Sequence, residues 1–313
     1  MRVAVVGAGL AGLAAARELT AGGHEAIVFE KSRGLGGRLA SRRAGGTVLD
    51  HGSPVVAAPP GSPLRGLVGT LGADDGVDLG DGLAFASGAT RLPKLIAAGL
   101  GVRQGVRIAA LRAATGGFEV GDEQGNTHGV VDAVVLCAPA PQAADLLERS
   151  PEAGARVAAL RAVSYAPAVM ILLGLTAAGL SWDAAGAPVA PIGAVSRESL
   201  KGRPPVDGVE PVVVRLDAAS SAELLEAADA EVLERALPAL AALLGPGAAR
   251  PAWAQVKRWR FAVPEAPGDA AAINPPGSRI VVAGDTLTGA AFGSADHHRV
   301  FDSGVAAARR VVA

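Results

Sequence analysis

Residues 3–12 read Val3-Ala4-Val5-Val6-Gly7-Ala8-Gly9-Leu10-Ala11-Gly12, and this stretch decides the fold. An apolar, β-branched run stops at Gly7, three glycines follow in G-x-G-x-x-G spacing, and Leu13 to Leu19 carries a helical pattern. Strand, glycine turn and helix in that order are the context a dinucleotide fingerprint requires. Gly7 permits the tight turn, Gly9 lets backbone approach a pyrophosphate, and Gly12 lets helix and strand pack closely, with phosphates at the positive helix end. Ala8, Leu10 and Ala11 complete the turn. A second strand, Glu25 to Phe29, ends at Glu30, 18 positions beyond Gly12 (30 − 12). A carboxylate there can accept from both ribose hydroxyls of an adenosine.

The next residues, Lys31-Ser32-Arg33-Gly34-Leu35-Gly36-Gly37-Arg38, place Gly-Gly-Arg six positions past the acid (36 − 30). Adjacent glycines let the chain lie against a long ligand, and Arg38 offers a fork of donors to phosphate oxygens. Here the sequence resembles the flavin-containing oxidoreductases of the glutathione-reductase-like type, in their amine-oxidase branch with its Glu-x5-Gly-Gly-Arg signature. The resemblance implies non-covalent FAD as the cofactor.

Composition sets the bounds. At 313 residues the chain suits two intimately joined domains, and half of it is hydrophobic, enough for a large core. A net charge of −1 gives no electrostatic case for nucleic acid or an anionic membrane. The single cysteine, Cys137, excludes an intramolecular disulfide framework and a cysteine-built zinc site. The amino-terminal apolar run closes at Arg17-Glu18 before any cleavage-like site, and no membrane-length apolar run occurs elsewhere. The expectation is a soluble cytoplasmic protein, monomer or homodimer, acting on a small molecule without nucleic acid, membrane or metal.

Along the chain, Thr47 to Asp50 reads as a short strand running into His51-Gly52-Ser53-Pro54. The resemblance places Gly52 and Ser53 beside an isoalloxazine ring. His51 is either a base or covalent flavin anchor, or a strand residue pointing elsewhere. Ala57 to Pro63 is a proline-rich exit, and Leu64 to Gly88, with Asp74, Asp75, Asp78 and Asp81, reads as a solvated loop and not a metal loop. A helix over Leu92 to Leu100 carries Lys94 as a solvated charge. Strands from Val106, at Phe118–Val120 and over Val130 to Cys137 form a crossover meander. By resemblance Val106 meets the adenine, and the strand ending at Cys137-Ala138 returns near the phosphates. Cys137 reads as a buried small residue.

Further strands are expected over Tyr165–Leu175, Pro211–Leu216 and Trp253–Phe261, with a helix opened by Ser220-x-x-Glu223 and carrying Val232, Ala236 and Leu240 on one face. The fold class is therefore α/β: a Rossmann-type FAD-binding domain with a parallel central sheet and β-meander crossover, plus a smaller substrate domain of mixed sheet backed by helices. The expected division assigns 1–58, 89–142 and 265–313 to the first and 59–88 and 143–264 to the second.

Lys257-Arg258-Trp259-Arg260 followed by Pro264 resembles the renalase-like group of small bacterial flavoproteins. On a strand, Arg258 and Trp259 face opposite ways. Arg258 is a candidate for a substrate phosphate or carboxylate, and Trp259 either stacks on a substrate ring or packs in the core. At the end, Arg279 to Asp285 reads as a strand closing in Gly284-Asp285. By resemblance Asp285 bonds ribityl hydroxyls or pyrophosphate, and the following helix directs N–H groups at the flavin. That helix is expected over Phe301–Val312. Asp296-His297-His298-Arg299-Val300 stands where relatives carry Glu-Gly-Ala; Arg299 and Val300 keep backbone contacts. His297 and His298 are an acid–base pair, flavin hydrogen-bonders or surface-loop histidines. The resemblance implies hydride transfer from a substrate carbon to flavin N5 and reoxidation by oxygen or another acceptor. With only one tyrosine, six phenylalanines and three tryptophans an aromatic amine cage is hard to build, which favours oxidation of off-pathway dihydronicotinamide isomers. A flavin amine oxidase or biosynthetic desaturase, an NAD(P)-binding enzyme without flavin, and a non-catalytic dinucleotide-binding protein are the alternatives.

Overall fold

The structure, a computed structural model, describes residues 1–72, 74–80, 82–176, 180–182, 189–289 and 296–313. Asp81 lies outside them. Five parallel strands form the central sheet, in the order Ile280–Val282, Ala133–Leu136, Arg2–Val6, Glu25–Glu30 and Gly101–Gln104. The three inner strands are Val/Ile-rich because both faces are covered. The helix Leu10–Ala21 and the closing helix His297–Val312 pack together on one face. On the other lie the helices Ala140–Glu148 and Ala155–Arg161 and the antiparallel meander Ile108–Ala114, Gly117–Asp122 and Thr127–Val131.

A four-stranded antiparallel sheet, ordered Ile192–Arg197, Val209–Leu216, Tyr165–Thr176 and Trp253–Pro264, has its own core against the helix Asp229–Leu244. Its opposite face receives a hairpin of Ser41–Ala44 and Thr47–Asp50, through Leu49, Met170, Leu172 and Ala262.

Several expectations change. Gly101–Gln104 is the fifth parallel strand, so the meander starts at Ile108 and not at Val106. Val106 instead sits at the bend, its N–H bonded to the Glu30 carbonyl at 2.9 Å. The helix expected over 92–100 is the shorter Arg91–Ile96. Residues 64–88 are not a solvated loop: they supply the helix Pro63–Thr70 and strands Gly76–Asp78 and Gly82–Phe85, with Leu64 and Phe85 fully buried. Val56–Ala57 joins that small sheet before the prolines end it. Ser220 opens no helix; the cap is Asp217, whose carboxylate accepts from the Ser220 N–H at 2.7 Å, and a second helix begins at Asp229. The closing helix begins at His297, four residues before Phe301, and therefore takes in His298, Arg299 and Val300.

Candidate functional site

A groove of about 880 Å³ lies outside the carboxyl ends of the parallel strands, the usual place for a ligand in an open α/β sheet. Its floor is knitted from three turns. The Gly7 N–H donates to the Phe29 carbonyl at 2.8 Å, and the Gly36 N–H to the Ala8 carbonyl at 2.8 Å. The buried Glu30 carboxylate accepts from the Ala8 N–H at 2.9 Å. Gly7, Gly9, Leu10 and Ala11 line the groove from the first turn, Glu30 and Lys31 from the second, and Gly36, Gly37 and Arg38 from the third. Ser53, Val106, Ala138, Gly284, Asp285 and Val300 complete its wall.

Five candidates do not line it, for identifiable reasons. Ala8 is fully buried beneath the turn. Gly12 faces the carbonyl of Gly7, where an added Cβ would lie 1.9 Å away. Gly52 is pressed onto the Arg38 carbonyl, with the same clash at 2.0 Å. Ser32 is turned to Glu30, giving it an N–H bond of 2.8 Å and a hydroxyl bond of 2.7 Å. Arg299 points outward beside Asp296.

Two candidate roles are modified by these contacts. Glu30 accepts three protein hydrogen bonds, and an ionised carboxylate has about four acceptor positions. The Ser32 hydroxyl is also 2.7 Å from the Gly34 carbonyl, so turning its single proton there frees a second position for a ribose. Arg38 forms a two-pronged pair with Asp285, at 2.6 and 2.8 Å, and donates to the Ala262 carbonyl at 3.0 Å. Burial opposes the Arg38 charge, but the adjacent carboxylate outweighs it and raises its pKa. The two residues thus act as one neutralised unit at the groove wall.

Among the catalytic candidates, Arg258, Trp259 and His297 line the groove and His298 does not. Consecutive helical residues diverge by about 100° around the axis, so the two histidines cannot form one acid–base pair. His297 accepts the Ala57 N–H on Nδ1 at 3.1 Å, whereas His298 Nδ1 is buried without a hydrogen-bond partner among the described residues. Arg258 is tied to Asp229 at 2.6 Å and to the Ala227 carbonyl at 2.5 Å. Trp259 donates its indole N–H to the His51 carbonyl at 2.7 Å, and the half-buried indole both lines the groove and packs against the cluster of Leu49, Met170 and Ala262. Cys137, expected to be buried, is half-buried and lines the groove, and desolvation there pushes its thiol up to about 12, which disfavours the reactive thiolate. No group of three His, Cys, Asp or Glu side chains gathers as a metal site among the described residues, and no described helix is long and apolar enough to cross a membrane.

Sequence reasoning missed several partners because their contacts join distant segments. Lys31 reaches across to Gln142 at 2.7 Å. The Tyr165 hydroxyl accepts from the Ala140 N–H at 3.3 Å and lies 3.2 Å from the Thr286 hydroxyl; burial pushes it up to about 12. Below the site, Asp50, Glu198, Lys201 and Arg203 form a buried network of two carboxylates and two cations, with Asp50–Arg203 at 2.8 Å and Glu198–Lys201 at 2.7 Å. Charged residues scattered over 153 positions of chain carry no joint pattern in the sequence.

The residues fit FAD. At Gly9 an added Cβ would meet no protein atom within 4 Å, although the residue lines the groove. Packing does not require a glycine there; close approach of a ligand to bare backbone does. Opposite stands Gly37 at φ +56°, where an added Cβ would find only the Gly9 Cα, at 3.5 Å. Backbone donors, the Glu30 acid and the small residues beyond suit the diphosphate, ribose and flat ring of that cofactor in turn.

Comparison with known proteins agrees. Residues 5–71 match the NAD(P)-binding Rossmann-like domain, and residues 78–312 match the family described as flavin containing amine oxidoreductase. The 4,4'-diapophytoene desaturase (4,4'-diaponeurosporene-forming) of Staphylococcus haemolyticus is 46% identical over 59 residues, which is 19% of this chain and 12% of that enzyme. The match to such curated relatives thus spans about an eighth of their length. A putrescine oxidase triple mutant superposes with a TM-score of 0.76 at 15% identity, covering 99% of this chain and 98% of the other. Cyclohexylamine oxidase from Brevibacterium oxydans IH-35A gives 0.72 at 13% identity, with 99% and 98% covered. These two share the fold. A dinucleotide groove with bare backbone at Gly9 and Gly37, in a chain matched over three quarters of its length, has FAD as its cofactor: the protein belongs to the flavin-containing amine oxidoreductase family.

Proposed function

We propose that the protein is an FAD-dependent oxidoreductase that oxidises a small molecule in the manner of the renalase-like flavoproteins. The observation that carries this reading is the open space above Gly9 within a groove that also gathers Glu30, Arg38 and Asp285. The turn that begins at Gly7, together with Arg38, would hold the diphosphate, Glu30 a ribose, Val106 the adenine edge, and Ser53 the ring region, with Gly52 supporting the wall behind it. When bound, the flavin supplies two-electron chemistry, accepting a hydride equivalent from a substrate carbon and passing the electrons to oxygen or another acceptor.

The chain's own residues then bind, orient and exclude water. Asp285 keeps the Arg38 guanidinium charged and aimed along the groove. Trp259 and Phe261 form an apolar wall from the strand Trp253–Pro264. His297 is held by the Ala57 N–H as a neutral ring with its proton on Nε2, a hydrogen-bond donor at the groove margin. Among the described residues, Trp259 and Phe261 are the large aromatic side chains at that end, which supports reduced nicotinamide isomers over an amine held in an aromatic cage. A division into two domains is proposed on the same footing, supported by the separate cores of the parallel and antiparallel sheets, but residues 59–88 and 143–163, assigned above to the second domain, pack with the parallel sheet through Leu64, Phe85, Leu147 and Leu160. The test is purification with excess FAD, followed by anaerobic mixing with reduced nicotinamide isomers, amines and amino acids. Bleaching of a flavin spectrum by the first class alone is the expected result. A colourless protein that FAD does not protect against heat would refute the cofactor reading, and bleaching by amines alone would refute the substrate.

A further inference from the structure

Trp259 is backed by a residue that does not itself line the groove. The His51 ring is buried and stacks on the indole, with centroids 5.6 Å apart and planes 16° from parallel. The indole N–H donates to the carbonyl oxygen of the same residue at 2.7 Å. One residue thus fixes both the plane and the rotation of the indole. His51 has a firm base: the preceding Asp50 carboxylate is held by the Ser41 hydroxyl at 2.6 Å, the Ala89 N–H at 2.8 Å and Arg203 at 2.8 Å. Two residues later, Ser53 lines the groove.

The stack is not what packing alone would choose. His51 Nδ1 is buried without a hydrogen-bond partner among the described residues, a desolvation cost that a phenylalanine or leucine would avoid. Three charged groups act on the ring: Arg42 from the hairpin, Lys257 from the strand Trp253–Pro264, and Asp50 from its own strand. The Lys257 ammonium lies 5.4 Å from the Trp259 ring centroid. Burial first, then Arg42 and Lys257, outweigh Asp50 and depress the imidazole to about 4, so the ring stays neutral through the physiological range.

We infer that His51 is a positioning residue for this end of the groove: it holds Trp259 as a wall of fixed orientation, against which the ring of an entering cofactor or substrate is placed. The inference rests on reading the groove as the FAD site, but the stack itself exists without cofactor. That separation makes it testable. In a Trp182→Phe, Trp253→Phe background Trp259 is the sole indole, and its emission is read in cofactor-free protein and again with FAD bound. His51→Phe, which keeps a stacking ring, leaves the emission maximum and anisotropy unchanged. His51→Ala shifts the maximum to the red, lowers the anisotropy, and cuts the fraction of Trp259 emission quenched by bound FAD at least twofold. Wild-type emission is constant from pH 9 to 5 and changes near pH 4, a step missing in His51→Phe.

Equal behaviour of the Phe and Ala variants, whether both like wild type or both altered, overturns the inference. So does a wild-type step centred near pH 6.5. If wild-type protein binds no FAD, the proposed function falls, while the positioning of Trp259 is still judged on the cofactor-free emission.

Discussion

Gly9→Ala and Gly12→Ala, two changes within one motif, have opposite consequences. At Gly9 the backbone lies at φ −77° and ψ −178°, open to any residue, and the new methyl meets no protein atom within 4 Å. Glycine is preferred over alanine at a helix N-cap, but alanine reduces unfolded-chain entropy, so the cofactor-free protein changes by no more than about 1 kcal/mol. The methyl does occupy the approach to the backbone N–H groups. Losing one charge-assisted hydrogen bond there is worth about 1.5–3 kcal/mol, or roughly 10- to 100-fold in FAD affinity. At Gly12 the methyl would sit 1.9 Å from the Gly7 carbonyl, so the turn itself must move, at a cost of about 1–3 kcal/mol or more.

Thermal melts with and without FAD separate the two. An unfolding entropy of about 2.1 cal/mol/K per residue makes 1 kcal/mol worth about 1.5 °C for 313 residues. FAD at about 100 times its wild-type Kd stabilises by about 2.7 kcal/mol, so the wild-type Tm rises by about 4 °C. For Gly9→Ala the rise shrinks to about 0.6–2 °C, while its cofactor-free Tm stays within about 1.5 °C of wild type. Gly12→Ala instead melts lower without cofactor. A full FAD-induced rise in Gly9→Ala would refute the reasoning, because the open space would then not be the path of the cofactor.

Three further outcomes are expected. Arg203→Met leaves Asp50 and Glu198 buried with only Lys201 to balance them, and the urea midpoint should fall by an amount worth about 3–5 kcal/mol; a loss below about 1 kcal/mol would show that the carboxylates are not confined as described. Iodoacetamide at pH 8 should label Cys137 far more slowly in the native protein than after denaturation, since desolvation in the groove holds the half-buried thiol near 12; equal rates in the two states would contradict that desolvation. Stability should also bend at both ends of the pH range. Between about 4 and 6.5 the unfolded chain binds a proton that native His51 does not, so stability is lost as pH falls through that window, and His51→Phe removes this acid limb. At the alkaline end Tyr165 and Cys137 keep protons that the unfolded chain gives up, so stability falls as pH rises towards 12. Urea midpoints across pH, in wild type and His51→Phe, check both limbs.

The sequence by itself determined the strand–turn–helix at residues 2–21, the acid at Glu30, the second glycine pair and the closing Gly284-Asp285. Each is a local device: a glycine spacing or an apolar run sets its own backbone within a few residues, so it is legible without neighbours. The family followed from the same local signals. Tertiary structure alone decided how those devices share their groups. Arg38 and Asp285, 247 positions apart, are one ion pair, and Glu30 is largely occupied by Ala8 and Ser32. Gly101–Gln104, between the expected helix and the expected strand from Val106, is a strand because Ile27–Glu30 lies beside it and completes the ladder. His297 and His298 look alike in sequence, yet the helix sends one to the groove and the other away from it. The His51–Trp259 stack and the Asp50–Arg203 pair join residues with no shared pattern, because burial and long-range contact, not local propensity, set their chemistry.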